Sequence, residues 1–345
     1  MAVTEVELRP LGPTDVRVRM AAAGVCHSDL SLARGVLRQR VPAVLGHEGA
    51  GVVADVGAEV TGLSAGDQVM LVWAPPCRGC WFCRAGEPWL CERALDAADQ
   101  PYATLDDAAV YPGLGTASFG AETVVPARAV LPLPPDLPLD TAALLGCAVL
   151  TGFGAVHNTA TVRRGDSVLV MGLGGVGLAA VQGARIAGAS PLLAVDPDAD
   201  KRALAVRLGA DAAWAPGDGL AAEVRGLTGG RGVDVAVECV GRATTIRSAW
   251  SLTRRGGHTV VVGIGGRADT VTWSALELFH FGRTLSGCVY GSTDPDRDVP
   301  RLIEQVRSGA LDLAALVTRR IRLDEVESAL DDMAEGRGAR ALVVF

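Results

Sequence analysis

The chain has 345 residues, a formal net charge of −7 and an apolar fraction of 49%, which is enough for two domains that each bury a core. The acidic balance and the scattered arginines disfavour nucleic acid as a partner and favour a small-molecule substrate. No apolar run reaches the roughly 18 to 20 residues that cross a bilayer, and the chain starts without an apolar signal segment. We therefore expect a cytoplasmic protein without membrane association.

The elements predicted from periodicity change in kind along the chain. Short apolar alternations such as "DVRVRM" and "GAGVVADVG", separated by Gly, Pro and Asp, predict an irregular β domain first. From about Val149 to Val289, strand-like runs alternate with alanine-rich helical stretches, which predicts a parallel sheet with crossover helices. The tail from Val299 to Phe345 predicts two amphipathic helices and a terminal strand. The predicted fold class is α/β.

Four of the eight cysteines lie within the fifteen residues "CRGCWFCRAGEPWLC". Cys77, Cys80, Cys83 and Cys91 follow C-x2-C-x2-C-x7-C, a spacing that lets four thiolates converge on one cation. Four thiolates would fill the shell of Zn²⁺ and leave no position for a substrate, which predicts a structural zinc. An iron–sulfur cluster, a disulfide pair and free buried thiols are the alternatives.

A second set of metal ligands is spread along the chain. Cys26 lies in "GVCHSDL", His47 and Glu48 in "GHEGAG", and Cys147 in "LLGCAVLTG". Two thiolates and one imidazole form the three-ligand set of a catalytic zinc with an open fourth position. Each residue also has an ordinary interpretation, as a buried thiol or a core histidine, and spacing alone does not connect them.

A glycine-rich turn follows the strand-like run "VLVM". Gly172, Gly174 and Gly177 match G-x-G-x-x-G, in which glycines permit a tight turn, close approach of a pyrophosphate and close helix packing. Asp196 ends the next strand-like run, nineteen residues after Gly177. A carboxylate there accepts hydrogen bonds from the adenosine ribose hydroxyls and repels a 2′-phosphate. We therefore predict an NAD site, against the alternative of a glycine-rich turn that binds no nucleotide.

Taken in chain order, these motifs, with "GDSVLVMGLGGVG", "AVDPDADKR" and "ECVG", resemble those of the zinc-dependent alcohol dehydrogenases of the medium-chain dehydrogenase/reductase family. The resemblance extends from about Val6 to Phe345. It implies a GroES-like irregular β-barrel catalytic domain over 1–148 and 290–345, with a structural-zinc lobe at 77–91. It also implies a Rossmann NAD-binding domain, a doubly wound parallel sheet, over 149–289.

The implied activity is reversible hydride transfer between an alcohol, primary or aryl favoured, and NAD, with two zinc ions per chain. Cys26, His47 and Cys147 would bind the catalytic zinc, with Glu48 behind it. Asp29 would hydrogen-bond the far nitrogen of His47. Ser28 would take the proton of the alcohol.

The resemblance also implies contacts with the cofactor and the substrate. Further residues at cofactor-contacting positions are His27, Thr151, Val176, Lys201, Val262, Ile264 and Arg340. Residues at substrate-lining positions are Leu37, Trp73, Leu114, Ile264 and Val289. Gly113 stands where bulkier pocket residues can occur and is expected to add room, while Trp73 takes some room away, and the sequence does not decide the balance. A homodimer or homotetramer is implied, paired through an exposed edge at "HTVVVGIGG".

Two departures from the family pattern carry consequences. Ser31 stands where many relatives have a histidine that passes the proton to solvent, so the relay is not transferred beyond Ser28. Relatives also usually have an extra strand or hairpin before the segment "EVELRPLG". A biosynthetic reductase of the same family, acting on a larger carbonyl or iminium substrate, is the alternative enzyme. A non-catalytic nucleotide-binding redox sensor is the alternative of another class.

Overall fold

The computed structural model describes all 345 residues, and the chain divides into two compact units. The first unit comprises Met1–Ala148, Asp294–Ile303 and Leu313–Phe345, and the second comprises Val149–Thr293 and Glu304–Asp312. Residues 290–293 and Glu304–Asp312 thus lie in the second unit, although the sequence assigned 290–345 to one domain. Side-chain bonds explain part of this difference, because Gln182 donates to the Asp312 carbonyl at 3.1 Å and accepts from the Asp312 amide at 2.7 Å.

The first unit is built mainly from short strands. Its elements up to residue 148 are β1 (Glu7–Leu8), β2 (Asp15–Gly24), α1 (His27–Ala33), β3 (Ala43–Val44), β4 (Glu48–Val56), β5 (Gln68–Leu71), α2 (Trp81–Arg84), β6 (Ala103–Leu105), β7 (Ala108–Pro112), β8 (Glu122–Pro126), β9 (Val130–Pro132) and α3 (Leu139–Ala142). Strands and helices then alternate in the second unit. These elements are α4 (Ala148–Gly154), β10 (Val168–Met171), α5 (Gly175–Ala187), β11 (Leu192–Val195), α6 (Ala199–Arg207), β12 (Ala212–Trp214), α7 (Leu220–Leu227), β13 (Val233–Glu238), α8 (Ala243–Leu252), β14 (Thr253–Val261), α9 (Ala275–Phe281) and β15 (Thr284–Gly287). The last elements are α10 (Pro295–Arg307), β16 (Arg319–Ile321), α11 (Val326–Ala334) and β17 (Ala341–Val344).

Two sheets form the first unit. The larger has seven strands in the order β16-β17-β2-β4-β5-β9, with β8 paired to β2, and the smaller has the order β1-β6-β7-β3. Alternation in β2 explains its place, because Val16, Val18 and Met20 are buried in one core while Arg19 is exposed. The predicted irregular β domain is confirmed.

A single parallel sheet forms the second unit, with the strand order β12-β11-β10-β13-β14-β15. All residues of β10 and β11 are buried, as expected for strands covered by helices on both faces. The order reverses between β10 and β13, which is the arrangement of a doubly wound fold. Such folds bind ligands at the carboxyl ends of the strands beside this reversal. The predicted α/β fold class is confirmed.

The edge of this sheet is not where the sequence placed it. The run "HTVVVGIGG" begins in β14, which pairs with β13 on one side and with β15 on the other. The edge strand is β15, whose four residues "TLSG" carry little apolar periodicity. The prediction of an exposed edge at "HTVVVGIGG" is therefore wrong, because a short following strand covers it.

No single helix is both long and apolar enough to cross a membrane. One bent pair, Leu139–Gly146 and Ala148–Thr159, has the required length and composition when the two are counted together. Residues 141–152 within this pair are buried in the protein.

Candidate metal centres and nucleotide site

Four buried side chains converge in the first unit. The ligand atoms of Cys26, His47, Glu48 and Cys147 all lie within 4.8 Å of one another. Cys26 caps the N-terminus of α1 as the chain leaves β2, Glu48 is the first residue of β4, and His47 directly precedes it. Cys147 follows the short turn Ala143–Gly146 and directly precedes α4. The fold thus assembles ligands that the sequence separates widely.

Asp29 supports this cluster through hydrogen bonds. Its carboxylate accepts from the Cys26 amide, the Gly46 amide and His47 Nδ1, each at 3.0 Å. Asp29 and His47 are both 0% exposed. With Nδ1 occupied, Nε2 of His47 is buried and has no hydrogen-bond partner. A histidine oriented in this way presents its free nitrogen to a metal ion.

The two thiols and the imidazole influence one another electrostatically. The hydrogen bond with Cys147 lowers the pKa of Cys26 well below the usual thiol value, while the same bond and burial raise the pKa of Cys147. Burial alone would lower the pKa of His47, but the charges of Asp29 and Cys26 raise it well above its usual value. The protons held here are those that a bound cation would displace.

Glu48 forms a buried ion pair with Arg340. Arg340 Nη2 lies 3.1 Å from Glu48 Oε1, and Nη1 donates to the Val25 carbonyl at 2.6 Å. Burial raises the pKa of Glu48 to about 8, although the charge of Arg340 opposes this shift. Arg340 is only 4% exposed. The structure places the guanidinium of Arg340 beside the metal cluster, and the contact of Arg340 with NAD that the resemblance implied stays a prediction.

A zinc ion fits this donor set. Two thiols, one imidazole with an unpartnered buried nitrogen and one carboxylate surround a common point. Cys₂His is a known catalytic zinc shell that leaves a fourth position open. Cys26, His47 and Cys147 would hold the ion, and Glu48 would stand beside it.

The nearest predicted catalytic hydroxyl lies on α1. Ser28 Oγ is 3.9 Å from Cys26 Sγ, and the Ser28 side chain is half-buried. The Trp73 ring lies edge-on to the His47 ring, with centroids 6.3 Å apart. Trp73 therefore borders the cluster, and its contact with a substrate stays a prediction. Ser31 is half-buried on the same helix.

Gly113 does not create space for a substrate. A Cβ added there would lie 2.8 Å from Leu45 Cα and 3.0 Å from the Val44 carbonyl oxygen. The expectation that Gly113 adds room is wrong, because glycine is required by the close approach of two backbone segments. Its neighbour Leu114 is half-buried at a φ of 48°.

The second metal constellation lies in the lobe 77–91. Thiol sulfurs of Cys77, Cys80, Cys83 and Cys91 lie within 4.8 Å of one another, and all eight cysteines of the chain are free thiols. The Cys80 amide donates to Cys77 Sγ at 3.3 Å, and the Cys77 amide donates to Cys91 Sγ at 3.2 Å. A backbone hydrogen bond from Gly79 lowers the pKa of Cys77 to about 6, whereas burial raises that of Cys83 to about 12. Four converging thiols fit a tetrahedral zinc ion.

Arg78 anchors this lobe to the start of α10. Its guanidinium lies 2.8 Å and 2.5 Å from the two carboxylate oxygens of Asp294, and it also contacts Asp296. The hydrogen bonds from Arg78, together with its charge, lower the pKa of Asp294. The loop between the first two cysteines is therefore fixed by a bidentate ion pair.

The glycine-rich turn lies at the carboxyl end of β10. Gly172 has a φ of +90°, and a Cβ added to Gly177 would lie 1.8 Å from the Gly172 carbonyl oxygen, so both positions require glycine. A Cβ added to Gly174 would meet nothing within 4 Å. Gly174 caps the N-terminus of α5 and faces open space there. A pyrophosphate fits this space beside the helix N-terminus.

Asp196 stands beside this turn, after β11. It is 6% exposed, and its oxygens accept from the Leu173 amide at 2.7 Å and the Asp198 amide at 2.9 Å. Each carboxylate oxygen retains a second acceptor site for a ribose hydroxyl. The Asp198 side chain caps the N-terminus of α6 by accepting hydrogen bonds from two backbone amides, one of which is that of Lys201.

Glu238, the last residue of β13, is a residue in the second unit whose role the sequence did not predict. Glu238 is 0% exposed and accepts from the amides of Val240 and Gly241 at 2.9 Å and from Thr245 Oγ1 at 2.8 Å. Burial raises its pKa. Glu238 thereby shapes the loop that packs on Gly172. An acidic residue at the end of a largely apolar strand was the available signal.

The other residues implied to contact cofactor or substrate are dispersed over both units. In the first unit His27 is exposed at the start of α1, and Leu37 is half-buried and lines a cavity. In the second unit Thr151 is buried, Val176 and Val262 are half-buried, Ile264 is 51% exposed and Val289 is 48% exposed.

Two family models match the chain: the alcohol dehydrogenase GroES-like domain over residues 12–135 and the zinc-binding dehydrogenase over residues 175–308. The chain is 36% identical over 353 residues to the NDMA-dependent alcohol dehydrogenase of Amycolatopsis methanolica, a match covering 99% of this chain and 95% of that relative. It is 35% identical over 356 residues to the S-(hydroxymethyl)glutathione dehydrogenase of Photobacterium damsela subsp. piscicida, covering 100% and 96%.

Solved structures agree with these matches. The benzyl alcohol dehydrogenase of Acinetobacter calcoaceticus superposes with a TM-score of 0.90 at 28% identity, covering 99% of this chain and 94% of that one. Relatives above 30% identity thus match practically the whole length of the sequence. The chain therefore belongs to the zinc-dependent alcohol dehydrogenases of the medium-chain dehydrogenase/reductase family.

Proposed function

We propose that the protein oxidises primary or aryl alcohols to aldehydes, reversibly, with NAD as hydride acceptor. The observation that carries this proposal is the buried cluster of Cys26, His47 and Cys147, in which Nε2 of His47 has no partner. Three protein ligands leave one position at a zinc ion for the alcohol oxygen.

The chain's own residues define how the reaction would be supported. A zinc ion bound here supplies Lewis acidity that lowers the pKa of an alcohol hydroxyl, and NAD accepts hydride. Asp29 fixes the orientation of His47 through the 3.0 Å contact at Nδ1. Ser28 is our candidate for accepting the alcohol proton. Trp73 covers one side of His47 with apolar surface, which excludes water.

Asp196 supports NAD over NADP. Its buried carboxylate at the carboxyl end of β11 would bond the ribose hydroxyls and repel a 2′-phosphate. We expect Asp196→Ala to lower the NAD-to-NADP ratio of kcat/KM by about tenfold or more, an effect typical of a lost charged hydrogen bond. Asp200→Ala, in the first turn of α6, is the control and should leave the ratio unchanged. An unchanged ratio in Asp196→Ala would place cofactor choice elsewhere.

We also propose that the lobe holds a structural zinc ion. Its four converging thiols would fill the four-ligand shell of a zinc ion, which would leave no position for a substrate. Metal analysis of the purified protein should find about two zinc ions per chain. Iron in the lobe would identify an iron–sulfur cluster instead.

The substrate class is tested with a panel of alcohols and aldehydes, followed by NADH absorbance. The names of two relatives, a benzyl alcohol dehydrogenase and an S-(hydroxymethyl)glutathione dehydrogenase, support primary and aryl alcohols as the first compounds. Benzyl alcohol and short primary alcohols should be oxidised. Turnover restricted to a larger carbonyl or iminium compound would favour the biosynthetic reductase, and absence of any turnover with zinc bound would favour a sensor.

We propose that two chains pair through the edge strand β15. Its neighbour α9 exposes Leu276 at 71%, Leu278 at 48% and Phe279 at 84%. An unpaired edge beside apolar side chains is a typical site of symmetric association. Light scattering should find a dimer or a tetramer, and Phe279→Asp should shift it towards the monomer. A monomeric wild-type protein at micromolar concentration would contradict the assembly.

A further inference from the structure

The loop between β7 and β8 packs against the segment that leads into His47. The Phe119 amide donates to the Leu45 carbonyl at 3.0 Å, and the Ser118 amide donates to the Gly46 carbonyl at the same distance. Gly46 has a φ of +90°, and a Cβ added there would lie 2.6 Å from the Phe119 nitrogen. Only glycine fits this close approach, and glycine restrains the backbone less than any other residue. The position of His47 therefore depends on the groups that hold the peptides on both sides of Gly46.

The peptide before Gly46 and the peptide after it are held by different side chains. The Gly46 amide donates to Asp29 Oδ1 at 3.0 Å, and the same oxygen contacts His47 Nδ1. The Gly46 carbonyl, which belongs to the peptide bond with His47, accepts from the Thr116 hydroxyl at 2.9 Å. Thr116 thus fixes the backbone from which the imidazole extends, whereas Asp29 fixes the ring.

Thr116 is itself held by a buried hydrogen bond. The hydroxyl of Thr123, in β8, donates to the Thr116 carbonyl at 2.6 Å, and both threonines are 0% exposed. The Gly113 carbonyl is a longer alternative acceptor for the Thr116 hydroxyl, at 3.4 Å, so the bond to Gly46 is favoured. A continuous path of buried hydrogen bonds therefore connects β8 with His47. Such a path favours one geometry, because hydrogen bonds are stronger away from water.

We infer that Thr116 is a positioning residue that holds His47 in the orientation in which it binds zinc. The inference rests on one part of the proposed function, the binding of zinc by Cys26, His47 and Cys147. Thr116 acts through the peptide bond between Gly46 and His47 and is not itself a ligand. Without its hydroxyl, this peptide would have to be ordered when the ion binds, and that cost would lower the affinity.

The test measures zinc affinity at the cluster by competition with a chelator, with the lobe zinc as internal reference. Release from the two sites is assigned with Cys147→Ala, which lacks a cluster ligand. Thr116→Val keeps the shape of the side chain and removes the hydroxyl. Zinc affinity at the cluster should fall by about fivefold, the effect of losing one hydrogen bond of ordinary strength, while lobe affinity stays unchanged. Because both sites lie on one molecule, incomplete folding of a variant does not alter the comparison.

Three further variants separate the hydrogen bond from packing. Thr116→Ser restores the hydroxyl and should recover most of the affinity. Ser118→Ala is the matched control and should keep wild-type affinity, because Ser118 is also 0% exposed but its hydroxyl has no hydrogen-bond partner. Thr123→Val removes the bond to the Thr116 carbonyl and should give a smaller loss in the same direction. It tests the same path if Thr116→Val does not fold.

A spectroscopic measurement reports the geometry of the ligands directly. Cobalt(II) in place of zinc absorbs visible light at wavelengths that depend on the arrangement of its thiolate and imidazole ligands. The absorption of the cluster should shift in Thr116→Val and should match the wild type in Ser118→Ala.

The outcomes separate this inference from the proposed function. Unchanged affinity at the cluster in Thr116→Val, equal loss from both sites, or a loss that Thr116→Ser does not recover overturns the inference and leaves the alcohol dehydrogenase intact. Failure of the zinc-loaded wild type to oxidise any alcohol overturns the proposed function, and the affinity comparison still decides the role of Thr116.

Discussion

The two metal constellations of the first unit differ in how the chain builds them. The lobe takes four thiols from fifteen consecutive residues, and three of them are only half-buried. The other cluster takes its ligands from three segments between Cys26 and Cys147, and all are buried. A local loop is sufficient for a closed shell, whereas an open shell needs a folded domain to hold the ligands apart from water. Conspicuous spacing therefore marks the proposed structural site, and dispersed ligands mark the candidate catalytic site.

The supports of the two sites differ in the same way. Backbone amides donate to the sulfurs of Cys77 and Cys91 in the lobe. The dispersed cluster depends on side chains instead, with Asp29 behind His47 and Arg340 beside Glu48. Substitution of those supporting side chains should therefore affect metal affinity and chemistry at the dispersed cluster and not in the lobe.

The largest expected effect comes from removing a ligand of the dispersed cluster. Cys147→Ala should lower kcat by about 10³-fold or more, since the Lewis acid is lost, while the lobe metal stays bound. Steady-state kinetics and metal analysis would measure both effects. Cys288→Ala is a matched control, because Cys288 is buried to a similar degree, 7% against 6% exposed, and lies outside the cluster. Normal turnover in Cys147→Ala would contradict the assignment of that site.

Removing a lobe ligand should lower stability and leave turnover nearly unchanged, which is the reverse of the effect expected for Cys147→Ala. Cys83→Ser should lower the free energy of unfolding on the order of 3 kcal/mol, because metal binding contributes directly to folding. Turnover per folded, zinc-loaded molecule should stay within about threefold of wild type if the lobe takes no part in the chemistry. Thermal denaturation would measure the loss of stability, and kinetics normalised to the amount of active-site metal would measure turnover. A loss of kcat equal to that of Cys147→Ala would remove the distinction between the two sites.

A smaller effect is expected from substituting Asp29, the carboxylate that supports the dispersed cluster. Asp29→Asn retains a hydrogen-bond acceptor but loses the charge that faces His47 Nδ1. Zinc affinity should fall by about 10- to 100-fold, as is typical for such supporting carboxylates. Competition with a chelator, with the lobe zinc as internal reference, would measure this. Equal loss from both sites would indicate general unfolding instead.

The smallest effect concerns the attachment of the lobe. Arg78→Gln removes the ion pair with Asp294 and should cost about 0.5 to 1 kcal/mol, because Arg78 is 45% exposed and solvent screens the pair. Arg78 lowers the pKa of Asp294, so this stabilisation is present above the unfolded pKa of about 4 and is lost as the pH falls through the folded pKa. The stability difference between wild type and Arg78→Gln should therefore shrink in acid. Denaturant unfolding across that pH range would reveal it, and a pH-independent difference would assign the loss to packing.

Much of the fold was readable because local chemistry determined it. Continuous apolar strands such as "VLVM" and "LLAV", separated by helical stretches, predicted the parallel sheet, and short apolar alternations such as that in β2 predicted the irregular β domain. The strand β15 was missed because four weakly apolar residues carry no period. The sequence did not predict that Glu304–Asp312 belongs to the second unit, because this depends on contacts with Gln182, far away in the chain.

The sequence by itself determined which atoms are available: four closely spaced thiols, a glycine turn at which two positions admit no side chain, and an acid after the next strand. Family resemblance then connected Cys26, His47 and Cys147. Only the tertiary structure decided that Arg340 faces Glu48, that Gly113 is closed by Leu45 and that Thr116 bonds the peptide next to His47. The physical reason is separation along the chain. The spacing of nearby residues specifies local geometry, whereas burial and charge pairing depend on which distant segments the folded chain brings together.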